Sequence, residues 1–113
     1  MTDDTHQRIE TIRRLNDRFR RTFEGGRVVM TAGIQALGPD RLRALLNQVR
    51  TFGSFDESND PYGEHDFGAF VEEGEKFFWK IDYYDRQLEY GSEDPSDPQR
   101  TTRVLTLMLS SEY

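Results

Sequence analysis

Residues 66–84 read DFGAFVEEGEKFFWKIDYY, and the fold class turns on how this stretch pairs with itself. From Asp66 to Val71 the side chains alternate, with Phe67, Ala69 and Val71 on one face. A period of two belongs to a strand. Glu72-Glu73-Gly74-Glu75 has the composition of a hairpin turn. Lys76–Tyr84 then returns with Phe77, Trp79, Ile81 and Tyr83 on one face and Phe78, Lys80, Asp82 and Tyr84 on the other. Working outward, Asp85-Arg86 is expected to turn the chain into a third strand, Gln87–Tyr90. Upstream, Arg27–Thr31 is rich in β-branched residues and bounded by glycines, a candidate fourth strand centred on Val28–Met30.

Helical spacing appears on both sides of this block. Ile9, Ile12, Leu15, Phe19 and Phe23 recur every three or four residues, one stripe that closes at Gly25-Gly26. Arg13, Arg14, Arg18, Arg20 and Arg21 fall off the stripe and read as a solvated face. Pro39 suits the first position of a second helix with Leu42, Leu45, Leu46 and Val49 inward, ending before Gly53. Gly33–Gly38 reads as a turn. Ser96 or Asp97, followed by Pro98, is expected to open a final helix with Val104, Leu105, Met108 and Leu109 as its stripe. The reading is a single α+β domain over residues 1–113. It is an antiparallel three- to four-stranded meander packed against about three helices, with residues 1–24 an amphipathic helix at its periphery. Of the 14 aromatic residues, 11 lie between Phe52 and Tyr90 and are expected to supply the core.

Composition limits the function classes. The chain has no Cys, which excludes a disulfide scaffold, thiolate metal sites and thiol catalysis. No run approaches the ~18 apolar residues of a membrane span, and the polar N-terminus does not read as a signal peptide, so a cytoplasmic location is expected. Gly33 and Gly38 form no phosphate-binding loop pattern. Residues 1–50 carry ten Lys/Arg and six Asp/Glu, whereas 51–113 carry five and fifteen. With a net charge of −6, direct nucleic-acid binding is disfavoured.

The place to look for chemistry is 51–66, a long loop of the kind that is commonly functional. It clusters Asp56, Glu57, Asp60, Glu64, His65 and Asp66. Asp60, Glu64, His65 and Asp66 could ligate a divalent cation or set up a metal-dependent hydrolase, with His65 oriented by a carboxylate. The spacing matches neither an EF-hand loop nor HExxH. The competing and preferred reading is an interaction module without a cofactor. Tyr62 and Tyr84 would anchor a protein partner with a basic surface, and Glu64, Asp66, Asp82 and Asp85 would form an acidic rim. A homodimer through an open sheet face or the last helix is a structural alternative.

Asn59–Gly68 (NDPYGEHDFG), Trp79–Asp85 (WKIDYYD), Asp94–Pro98 (DPSDP), Arg103–Tyr113 (RVLTLMLSSEY) and Thr31–Gly38 (TAGIQALG) resemble a small bacterial family, domain-of-unknown-function family 3768. The resemblance brings no catalytic residue with it. Its context implies accessory proteins of mobile elements, including inhibitors of nucleic-acid-handling or bacterial defence complexes such as those directed by CRISPR.

Overall fold

The computed structural model describes residues 2–113. The elements run α1 (Thr2–Thr22), β1 (Gly26–Met30), α2 (Ala32–Gln35), α3 (Pro39–Thr51), β2 (Phe67–Glu72), β3 (Glu75–Tyr84) and β4 (Thr102–Leu109), closing on a 3₁₀ turn at Ser110–Glu112. The domain is therefore α+β, as the patterning implied, but two strands differ from expectation.

The first correction is β4. Residues 102–109 form a strand and not the last turns of a helix. In VLTLML the apolar positions fit either period, so local pattern could not choose. The choice is made by position in the sheet. The strand order is β1-β4-β3-β2, which puts β4 in the interior with a hydrogen-bonded neighbour on each side. Arg103, Leu105 and Leu107 point into the core at period two, and Met108 is buried on the opposite face. Thr102, Val104 and Thr106 are β-branched, which suits a pleated surface. Ser96–Pro98, expected to start the helix, instead lie in two successive turns over residues 94–100, closed by Asp97 N–H to Asp94 O and Arg100 N–H to Asp97 O.

The second correction is Gln87–Tyr90, which is a turn. Leu88 sits at φ +60°, and Asp85 N–H donates to Tyr90 O across it. Only the isolated bridge Tyr84–Gly91 remains of the expected pairing. The sheet is consequently mixed. β2–β3 and β3–β4 are antiparallel, whereas β1 runs parallel to β4.

The hairpin itself holds. Register places Gly68 opposite Trp79 and Phe70 opposite Phe77, then Trp79 opposite Leu107 and Ile81 opposite Leu105. Directly opposed residues share a face. That face packs against Phe19 of α1, Ile34 of α2 and Leu45 and Val49 of α3. Each fully buried aliphatic or aromatic side chain contributes ~1.5–3 kcal/mol relative to an exposed one. Gly68 is a glycine because a Cβ there would run into the Trp79 indole and lie 2.8 Å from the Phe52 ring. α1 also ends as a consequence of packing. Phe23 takes the left-handed conformation at φ +58°, ahead of the two glycines, and keeps its ring against the core.

All three helices lie on one side. The other side of the sheet presents Phe67, Ala69, Phe78, Lys80, Asp82, Tyr84, Val104 and Met108, following from the same register. Among the described residues, 110–113 fold back over it. Tyr113 stands edge-on to Phe67 and Phe78, with centroids 5.8 and 5.2 Å away.

Candidate functional site

The densest polar arrangement lies between α1, the 52–66 loop and the ends of β3 and β4. Asn16 is fully buried on the inward face of α1. Its Nδ2 donates to Glu64 O at 2.9 Å and to Tyr83 Oη at 2.8 Å, while its Oδ1 accepts from Arg103 Nε at 2.6 Å. Tyr83 Oη in turn donates to Glu64 Oε1 at 2.7 Å, and Arg103 Nη2 donates to Pro95 O. Burial, and then the bond to Glu64, pushes the Tyr83 phenol far above its ordinary range, so it stays a donor. One turn along α1, Arg20 is 1% exposed and its Nη1 donates to the carbonyls of Val49, Arg50 and Phe52. These carbonyls lie at the C-terminal end of α3, where Val49 O also accepts from Phe52 N–H, so a guanidinium from another helix completes the C-cap. Its Nη2 reaches Asp17 at 3.1 Å.

His65 joins the same assembly. Nδ1 donates to Asp17 at 2.8 Å, Nε2 lies 3.6 Å from Asp60, and the ring stacks on Phe55 at 3.8 Å. The Asp60 carboxylate also accepts from the His65 backbone N–H, which holds His65 at φ +56°. Both imidazole nitrogens thus face carboxylates. Chemically, the arrangement pins a long loop onto a helix.

The six residues expected to bind a partner do not form one patch. Glu64 is taken up by Tyr83. Tyr62 is exposed beside His6, Ile9 and Arg13 of α1. Asp82 and Tyr84 border a groove of about 410 Å³ on the open sheet face, with Lys80, Met108 and Tyr113. Asp85 closes the 85–90 turn by accepting from Glu89 N–H. The four residues of the metal reading lie near one another, but their side chains are not turned to a common point. Asp60 turns to His65, Glu64 turns to Tyr83, and among the described residues no three His, Asp or Glu are arranged to hold a metal ion.

Asp66 stands apart from these. Burial, then the neighbouring charges of Glu64, Asp60 and Asp82, push its carboxyl up to about 6. A folded-state value above the unfolded one means that its stabilising contribution is full below about pH 4 and is lost as pH rises through about 6. Asp66→Asn is therefore expected to be more stable than the natural chain at pH 7.5 by on the order of 1–3 kcal/mol, the gap closing towards pH 4. Urea unfolding at several pH values checks this. A constant difference across the range would contradict it.

Asn16, Asp17, Arg20 and Arg103 were not foreseen as a unit. A signal existed for α1: Asn16 and Arg20 lie three or four residues from Ile12, Phe19 and Phe23, so they share the inward stripe. No comparable signal existed for Arg103, whose inward direction depends on β4 being a strand.

A family model described as "Protein of unknown function (DUF3768)" matches residues 30–112. The chain belongs to this family. The DUF3768 match takes in Glu64, His65, Tyr83 and Arg103, while their partners on α1 lie ahead of it. No curated protein and no solved structure matches the chain.

Proposed function

We propose that this DUF3768 domain is a protein-interaction module that takes a basic segment of a protein partner at the turn-rich end of its sheet, residues 85–100. The observation that supports this is Tyr90. Its side chain is 73% exposed, and it borders a groove of about 390 Å³ with Asp85, Arg86, Glu93 and Arg100. Residues 85–100 hold five carboxylates against two arginines. An exposed aromatic on a rigid backbone loses little freedom on binding and suits an anchor. The backbone there is well tied: Asp85 N–H to Tyr90 O, Ser92 N–H to Tyr83 O, and Asp94 accepting from Ser96. The carboxylate of Asp94 is held below its ordinary range by Ser96 above all, so this end stays anionic in weak acid.

The acidic second half of the chain would steer encounter with a cationic surface and make it salt-dependent. A nucleic-acid-handling or defence complex offers such a surface, and occupying it amounts to inhibition. The rival hydrolase reading has less support, because the two carboxylates at His65, those of Asp17 and Asp60, hold its ring between α1 and the loop, and Glu64 is taken up by Tyr83.

The test is capture from a nuclease-treated lysate of the encoding organism, natural chain against a Tyr90→Ala/Glu89→Lys/Glu93→Lys variant. The natural chain is expected to retain a stoichiometric partner at low salt and release it as salt rises, and the variant to retain at least tenfold less. Equal capture by both would remove this surface from consideration.

A further inference from the structure

We propose that the open face of the sheet is the contact surface for a second copy of this chain, in a two-fold dimer that swaps the partners of Lys80 and Asp82. This surface is different from the 85–100 groove and does not depend on it.

The face is covered only in part, by residues 110–113. Among the described residues no α-helix packs on it, and Val29, Val71 and Tyr113 are among the few large apolar side chains exposed. Phe67, Phe78 and Val104, half-buried, continue it around the buried Met108. A water-exposed apolar sheet face is an unstable arrangement unless something covers it.

Charge says what covers it. The register that sends Val28 and Met30 into the core sends Arg27 and Val29 to the open side. Lys76 lies over the Phe78 ring there at 5.4 Å, and Lys80 reaches Asp82 at 3.0 Å. With Glu112 at the rim, bonded to Thr31, the face carries three cations and two carboxylates. That is +1 on a chain whose total is −6. Two such faces bring together little net charge, and a cation of one can be set against a carboxylate of the other.

The arrangement is also self-complementary. Lys80 and Asp82 are two residues apart on one strand, so they sit side by side on one face. A two-fold axis between two such strands places Lys80 of each copy against Asp82 of the other. Each copy then keeps its neutralised pair, while Val29, Val71, Tyr84 and Tyr113 leave water. A generic basic partner would meet Arg27, Lys76 and Lys80 here, and a generic acidic one would meet Asp82 and Glu112.

Sedimentation with charge-swapped copies tests this. The natural chain is expected to sediment at twice the chain mass. Asp82→Lys alone and Lys80→Asp alone are each expected to weaken association at least tenfold. An equimolar mixture of the two variants is expected to restore it, because the first variant then presents only cations at these two positions and the second only carboxylates. A natural chain still monomeric at about 100 µM would overturn the proposal. So would dimers that both variants leave intact, or a mixture that stays monomeric. Should either variant misfold, oxidative footprinting of the natural chain decides. Protection of Tyr84 and Tyr113 that grows with concentration is expected, and labelling that does not change with concentration overturns the proposal.

Discussion

Arg20→Ala is expected to destabilise the domain by about 3–5 kcal/mol, lowering Tm by at least about 10 °C. The side chain is buried and touches three elements at once. Its Nη1 serves the carbonyls of Val49, Arg50 and Phe52, its Nη2 serves Asp17, and its guanidinium lies 5.4 Å from both the Phe55 and Trp79 rings. Truncation would take the guanidinium from the Arg50 and Phe52 carbonyls, leave Val49 O with Phe52 N–H alone and Asp17 with His65 alone, and open a cavity under Trp79. An unsatisfied buried acceptor costs ~1–3 kcal/mol, and the cavity adds to that. Arg20→Lys separates charge from geometry. A single ammonium cannot span three carbonyls and a carboxylate, so Arg20→Lys is expected to recover less than half of the loss. Thermal and urea unfolding measure both. A loss below about 1 kcal/mol for Arg20→Ala would mean that the end of α3 is capped by other means.

Asn16→Leu is the second large effect, with an expected loss of about 2–4 kcal/mol. Leucine has a similar volume, so the change is almost purely polar. Arg103 would lose the acceptor for its Nε, and Glu64 O and Tyr83 Oη would each lose a donor. Arg103 is buried, with Pro95 O its other recorded acceptor and the Tyr83 ring 5.3 Å from its guanidinium. Asn16 therefore links a buried cation to the 52–66 loop. A double-mutant cycle makes the claim sharper. Arg103→Met is expected to cost at least about 1 kcal/mol less in the Asn16→Leu background than in the natural chain. Simple additivity would show that the two residues act separately.

The contrast between these residues and those legible in the sequence is physical. The β2–β3 hairpin, the apolar stripes of α1 and α3 and the long 52–66 loop were all readable, because each is specified by neighbours within a few positions. A period of two, a period of 3.6, or a glycine in a turn is a local property. The site was less readable. Glu64 and His65 stood out by composition, yet their partners Asn16, Asp17 and Tyr83 are 19 or 48 positions away, and no local pattern connects them. Arg20 looked solvated because arginine usually is. Its burial depends on α3 ending where its carbonyls can meet it.

By itself, then, the sequence determined an α+β domain, its antiparallel hairpin and its acidic second half, whereas of the aromatics between Phe52 and Tyr90 expected in the core, Tyr62 and Tyr90 are exposed. Tertiary structure alone decided three things. VLTLML became a strand because the slot between β1 and β3 pairs both of its edges, which a helical reading would not satisfy. The sheet became mixed because β1 found its partner in β4, more than seventy residues along the chain. The carboxylates were distributed among a pinned loop, an open sheet face and a turn-rich end, because long-range packing and buried hydrogen bonds, and not spacing along the chain, set where each side chain could remain charged.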